Sequence, residues 1–249
     1  MGNEQNPLFS ILIPTRDEEQ YLPECLSAVR LASSHFNKIH PTQKNRVEVV
    51  VILNRCTDRT EEIALSEGCK TVRDESKNLA MIRNAGAKEA RGEILITIDA
   101  DSRMAENMLV EIYATLTGAR YIGGGVLTYP NRWSLGICLT GVALLPVLLW
   151  HGVSAGLFFC YRSDFEAIGG FNEKKVSIED LDFAIRLKSY GKKQGKKFAH
   201  LFRTHIVTSC RKFDRFGDWY FIYNLKAFYT LLRGDNQEKA NEYWYDFKR

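Results

Sequence analysis

Apolar residues follow two rhythms along the first half of the chain. Short runs rich in Ile and Val occupy 9–13, 47–53, 70–72, 94–98 and 121–128. Unbroken runs of this kind read as buried strands. Between them the apolar positions recur at helical steps: Leu22, Cys25, Leu26 and Val29, then Ile63 and Leu65, then Leu79, Ile82, Ala85, Ala87 and Ala90, and then Met108, Ile112 and Leu116. Continuously apolar strands alternating with helices predict an α/β fold, with a mostly parallel sheet covered on both faces. Ligands of such sheets bind beyond the carboxyl ends of the strands. Three polar segments fall there, at 15–18, 54–58 and 99–101.

The second half drops this alternation. No Lys, Arg, Asp or Glu occurs from 133 to 161. The apolar part, LGICLTGVALLPVLLW, approaches the roughly 20 residues of a membrane span. Gly136, Gly141 and Pro146 interrupt it. Three readings stand: a helix packed inside the domain, a helix in a membrane interface or lining an apolar acceptor site, or a span. The span is disfavoured because the motifs on either side must share a compartment. GLFFCYR (156–162) predicts a strand, and SDFEAIGGFNE a short helix ending in a Gly-Gly turn. EDLDFAIRLKSYGKK predicts a helix over 181–190, stopped by Gly191. Residues 198–201 and 205–208 are candidate short strands. From Phe213, FDRFGDWYFIYNLKAFYTLLRG predicts one amphipathic helix with Trp219, Tyr220, Tyr223 and Phe228 near one face. It docks on the core or touches a membrane surface.

Composition narrows the class. The 249 residues are 45% hydrophobic and 26% charged, ordinary for a globular chain. They suit a single domain with halves at about 8–102 and 103–212 and a helical tail at 213–249. The net charge of +4 is too small to indicate nucleic acid. It leaves anionic ligands and an acidic membrane surface open. The six cysteines form no CxxC pair and no zinc spacing, so buried thiols in a reducing compartment are expected. The N-terminus lacks the pattern of a signal peptide. A cytoplasmic protein is expected, with peripheral contact at the membrane face as an addition.

ILITIDADS (94–102) carries the sharpest chemistry. Asp99 and Asp101 end an apolar run. On an extended chain they share one side. Such a pair can hold Mg²⁺ or Mn²⁺, with phosphate oxygens filling other positions.

Four ordered blocks resemble family 2 glycosyltransferases. FSILIPTRDEEQYLPECL resembles their first strand and helix, and NRCTDRT their second strand tip, usually DDGSTDGT. NLAMIRNAGAKEARGEILITIDADS is similar to the run from the donor-site helix through the D-x-D motif. FFCYRSDFEAIGGFNEKKVSIEDLDFAIRLKSYGKK is similar to the acceptor-side block, where an ED pair follows a GGF turn. The resemblance covers about 9–193. It implies the GT-A fold and inverting transfer from a nucleotide-diphosphate sugar, assisted by Mn²⁺ or Mg²⁺. It implies nucleotide contacts at Pro14, Thr15 and Glu18. Asn54 stands where the family has the second Asp of its tip, a departure that keeps a base contact but unsettles a uracil preference. Arg83 matches a donor-side helix position, where it faces the diphosphate or forms a helix-surface ion pair. Asp99 matches the position near ribose and metal, and Asp101 the direct metal ligand.

Asp180 matches the catalytic base, with Glu179 orienting or tuning it. Asp180 could also cap the helix that follows, and Asp182 is the alternative base. Arg211, in TSCRKF, matches a late Arg near the diphosphate, against a plain surface role. His205 would complete the metal site or be structural. The Q-x-x-R-W signature of processive synthases is absent, so one sugar is transferred to a glycan, lipid-linked or small-molecule acceptor. A nucleotidyltransferase would need a basic loop where PTRDEEQ stands. A catalytically silent sugar-nucleotide-binding module fits poorly with intact Asp99, Asp101 and Asp180.

Overall fold

The computed structural model describes residues 6–44, 46–153 and 156–224. The Ile- and Val-rich runs become β1 (Phe9–Thr15), β2 (Val47–Leu53), β3 (Lys70–Arg73) and β4 (Ile94–Thr97). They pair in parallel in the order β3-β2-β1-β4. All seven residues of β1 are buried, as a central strand covered on both faces requires. On one face lies α1 (Leu22–Ile39), which buries Leu22, Cys25, Leu26, Val29 and Phe36 at three- and four-residue steps. On the other lies α3 (Leu79–Glu89), after the short α2 (Thr60–Ser66). Asn78 caps α3, its side-chain oxygen accepting from the Ala80 and Met81 amides. A Cβ on Gly86 would come within 2.6 Å of the Ile52 side chain, so glycine lets α3 lie close on β2.

Beyond β4 the sheet becomes mixed. The further elements are β5 (Ser102–Met104), α4 (Met108–Thr117), β6 (Tyr121–Pro130), α5 (Leu135–His151), β7 (Phe158–Tyr161), α6 (Arg162–Ala167), α7 (Glu179–Lys193) and β8 (Lys197–Thr208). The order continues β4-β7-β6-β8-β5. β7 runs antiparallel to both neighbours, β6 and β8 are parallel, and β5 is antiparallel to β8. Most pairings are therefore parallel, as the strand–helix alternation predicts.

Four expectations are corrected. The strands expected at 198–201 and 205–208 are one strand, β8, whose pairing with β6 slips at Val126/Leu127. α7 begins at Glu179 rather than 181, which brings Glu179 and Asp180 into its first turn. The single helix expected from Phe213 is instead α8 (Arg211–Phe216) and α9 (Tyr220–Tyr223). Gly217, with φ +88°, ends α8; Phe228 lies outside the described residues. Finally, α5 is not a core helix: Leu135, Leu139, Val142, Leu145 and Trp150 are all exposed. Among the described residues no helix is long and apolar enough to cross a membrane. Four of the six cysteines are buried free thiols, whereas Cys56 is half-buried and Cys138 is exposed.

Candidate active site

The loops after β1, β2 and β4 leave one edge of the sheet together. The first two are stitched to each other. The Glu18 amide donates to Thr60 Oγ1 (2.8 Å), the Glu19 amide to Asp58 Oδ2 (2.9 Å) and the Thr57 amide to Asp17 Oδ1 (2.7 Å). Among the described residues four non-glycine positions have left-handed φ, and three are here: Asp17 and Arg55 at 52°, and Ile178 at 56° just before Glu179. For a β-branched residue this conformation is strained, and such strain gathers at functional sites.

A pocket at this edge is lined by Pro14, Thr15, Glu18, Asn54, Asp99, Asp101 and Arg211. These are the residues assigned above to nucleotide and metal, save Arg83 and His205. Asp99 and Asp101 do not share a strand face as expected. β4 ends at Thr97, and the Ser102 amide donates to the Asp99 carbonyl (3.0 Å), so the two acids stand on a turn. Asp99, 48% exposed, accepts from Arg83 Nη2 at 2.9 Å. Asp101, 12% exposed, lies 3.0 Å from Arg211 Nε. That contact lacks hydrogen-bond geometry, since Arg211 Nε has no hydrogen-bond partner. Burial pushes the Asp101 carboxyl above the usual carboxylate range; Arg211 opposes this, and Asp99 and Glu18 add to it.

A buried carboxylate held by charge alone, beside a second carboxylate open to the pocket, has the hard oxygen donors a divalent cation prefers. His205 is not brought to them. Its ring packs 5.2 Å from Tyr129, and its carbonyl accepts from Ala105, beyond the far end of β5. Among the described residues no cluster of three or more His, Cys, Asp or Glu side chains is placed around an ion site.

Arg211 grips Glu18 with both terminal nitrogens (2.7 and 2.9 Å) and lies 4.9 Å over the Tyr21 ring. Burial disfavours its charge, but Glu18 and Asp101 outweigh this and hold it firmly protonated. Asn54 departs from expectation. Its amide nitrogen donates to the Asp74 carbonyl (2.7 Å) and the Ser76 carbonyl (2.8 Å), and its oxygen accepts from Arg55. The side chain pins the 74–76 loop and is not offered to a base. Thr15 donates its hydroxyl to the Ile52 carbonyl (2.9 Å), locking the β1 tip to β2.

Arg83 is neither a helix-surface pair nor part of the pocket lining. Its guanidinium is buried and joins Asp99 to Glu179 (Nη1–Oε1 2.5 Å), 5.3 Å over the Phe171 ring. The donor-side loop and the first turn of α7 therefore share one cation. Asp180 does not cap α7: the cap position is Ile178, with no side-chain bond. Among the described residues Asp180 accepts only from the Leu181 amide (2.7 Å). Asp182 pairs with Arg186 (2.6 Å), which also holds the Ile168 and Gly170 carbonyls. Of the three acids in this turn, Asp180 alone has no ion-pair partner among the described residues. Its charge still acts on Arg83 and Glu179.

The model of the glycosyl transferase family 2 matches residues 10–135, just over half the chain, from β1 through the D-x-D turn to the start of α5. The chain belongs to glycosyl transferase family 2. Glycosyltransferase AglE of Haloferax volcanii is 31% identical over 225 residues, covering 85% of this chain and 69% of that protein. The solved structure of S. aureus TarS 1–349 in complex with UDP-GlcNAc matches with a TM-score of 0.61 and 19% identity, over 94% of this chain and 69% of that one. Mannosyltransferase PcManGT from Pyrobaculum calidifontis, in complex with GDP-Man and Mn²⁺, matches with a TM-score of 0.61 and 18% identity, over 82% and 57%. The two solved structures share the fold described above.

In this family 2 glycosyltransferase two pocket cations escaped the sequence reading, Arg16 and Lys212. Each adjoins a residue that was picked out, Thr15 or Arg211, and that adjacency was the available signal. Glu179 predicts a pH effect. Burial raises its carboxyl to about 7, against the pull of Arg83. The unfolded chain releases this proton near the ordinary value of about 4.3. Between the two the folded state holds more protons, so this group's contribution to stability is full below that value and is lost as pH rises through about 7. Urea unfolding from pH 5 to 8 is expected to show wild type losing stability relative to Glu179→Gln over this window. A constant difference would show that Glu179 is already ionised at pH 5.

Proposed function

We propose that the chain moves one glycosyl group from a nucleoside-diphosphate sugar to an acceptor hydroxyl, with inversion, at the edge formed by β1, β2 and β4. One observation carries this reading: Arg83 links the pocket acid Asp99 to the turn in which Asp180 has no ion-pair partner among the described residues. A donor pocket and an available base are thereby coupled through one buried guanidinium. The sugar nucleotides printed for TarS and PcManGT support the donor class.

In this reading residues about 8–102 hold the nucleotide, with Pro14, Thr15 and Glu18 shaping the pocket, and residues about 103–212 face the acceptor. The acceptor oxygen attacks the anomeric carbon, whose bond to the diphosphate oxygen breaks with the electron pair going to the diphosphate. The acceptor proton passes to Asp180. Arg211 and Lys212 supply positive charge at the pocket wall. Asp99 and Asp101 would hold a divalent cation, which when bound neutralises charge on the diphosphate. The acceptor is a glycan, a lipid-linked molecule or a small alcohol.

Thermal unfolding of the full chain with UDP, GDP, ADP and CDP, with and without Mn²⁺, tests the donor half. One diphosphate is expected to raise the melting temperature by several degrees, through binding to the native state alone. EDTA is expected to remove most of that shift. If no nucleoside diphosphate shifts the transition in either condition, the reading fails.

A further inference from the structure

The chain exposes a stripe outside the nucleotide pocket. Along α5, Leu135, Leu139, Val142, Leu145 and Trp150 project outward, and Trp150 is 87% exposed. Steps of four, three, three and five keep them on one side of a helix. No Lys, Arg, Asp or Glu occurs on α5. A helix apolar all round is normally buried in a core or in lipid; this one leaves its outer side uncovered by any described residue. Trp133, 66% exposed, precedes it, so tryptophans stand near both ends, roughly 25 Å apart for 17 residues. Tyr129, Trp219 and Tyr223 are exposed as well, and Tyr129 lies 6.4 Å from Trp133, ring to ring.

We propose that this face seats on the headgroup layer of an anionic bilayer, with α5 lying in the plane of the surface. Three observations favour lipid over a protein partner. Trp and Tyr bordering an apolar stripe match the membrane–water interface, where a ring can be buried while its polar tip stays wet. Pro146 is on the exposed side and donates no amide. The carbonyl one turn before it therefore loses its helix partner, which a hydrated interface satisfies and a dry helix–helix contact does not. Charge is complementary too: the neighbouring α8 contributes Arg215, and the chain carries +4.

The stripe is joined to the site. Arg132, just before α5, clamps Asp214 and Asp218. Gly136 lies so close to the Asp218 carbonyl that a Cβ would meet it at 2.5 Å. Asn131 accepts from the Cys210 amide, adjacent to Arg211. The bilayer face is thus fixed to the strand and helix ends that carry Arg211. Where the transfer reading holds, on which this consequence rests, the acceptor hydroxyl belongs to a lipid-borne molecule.

The full chain should be sedimented with vesicles of phosphatidylcholine alone and with added phosphatidylglycerol, at low and high salt. Wild type is expected to partition onto the anionic vesicles, and added salt to weaken this. Leu139→Asp/Val142→Glu is expected to lose at least about tenfold in partition, and Trp150→Ser to lose less. Both variants are expected to keep the melting temperature and the nucleotide-induced shift, since these side chains are exposed. Wild type remaining in the supernatant with both vesicle types overturns the proposal, as does a charged-stripe variant that binds equally well. A concentration-dependent dimer without vesicle binding would assign the face to a second copy and also overturn it. The nucleotide shift is read separately, so loss of docking and loss of the donor reading are told apart.

Discussion

Asp180→Asn lowers kcat about a hundred- to ten-thousand-fold while donor affinity stays within about twofold. The amide is the same size as the carboxylate but cannot take the acceptor's proton. Asp180 does not line the nucleotide pocket, so the donor should not sense the change. Its one hydrogen bond comes from the Leu181 amide, which the Asn oxygen can still accept, so the helix start is preserved. Asp182→Asn is the control. Its carboxylate is engaged by Arg186, which in turn ties down the Gly-Gly turn through the Ile168 and Gly170 carbonyls. That variant should lose stability more than turnover. Nucleotide release at saturating donor, with unfolding curves for both variants, separates the two acids. Turnover within a few-fold of wild type in Asp180→Asn would remove it as the base.

Arg83→Met costs about 3–5 kcal/mol of stability at pH 8. Among the described residues its guanidinium is the single cation joined to buried Glu179 and half-exposed Asp99. Asp99 can be rehydrated, so most of the loss comes from Glu179. That group has an escape: its carboxyl is already raised to about 7, and without Arg83 it takes up a proton more readily. The destabilisation should therefore shrink toward pH 5. It should also shrink in Arg83→Met/Glu179→Gln, where the buried charge is gone from both sides. Urea unfolding of wild type, both single variants and the double variant at pH 5 and pH 8 measures this. A loss that is equal at both pH values, and undiminished in the double variant, would mean that Arg83 stabilises through packing on Phe171 rather than through charge.

The parallel half of the sheet was legible because its strands are apolar from end to end: β2 was bounded without error at 47–53, and β1 to within two residues. β5 was not foreseen, since three residues directly after the D-x-D turn are too few to show a period. The antiparallel insertion of β7 between β4 and β6 is set by long-range pairing, which local spacing does not encode. At the site, the motifs named residues that do gather at one edge, but they did not name the residues' partners. An x–x+2 alternation placed Asp99 and Asp101 on one face of an extended strand. A turn formed there instead, and each acid met a different arginine. Asp180 looked like a cap because acidic residues favour that position. The chain enters α7 two residues earlier, through a left-handed Ile178 that no propensity would select. The uncharged 133–161 stretch was compatible with core, interface or span; exposure along α5 decides against the core.

The amide of Asn54 has a consequence for retargeting the enzyme. Both of its N–H groups and its oxygen are occupied inside the protein. In the proposed reading no donor or acceptor remains on that side chain to tell a pyrimidine edge from a purine edge. The main chain of the strap it anchors is engaged as well: the Asp74 amide donates to the Leu53 carbonyl, the Ser76 amide to Asp74 Oδ1, and both carbonyls accept from Asn54. A point substitution at 54 would accordingly loosen the strap without teaching the pocket a new base.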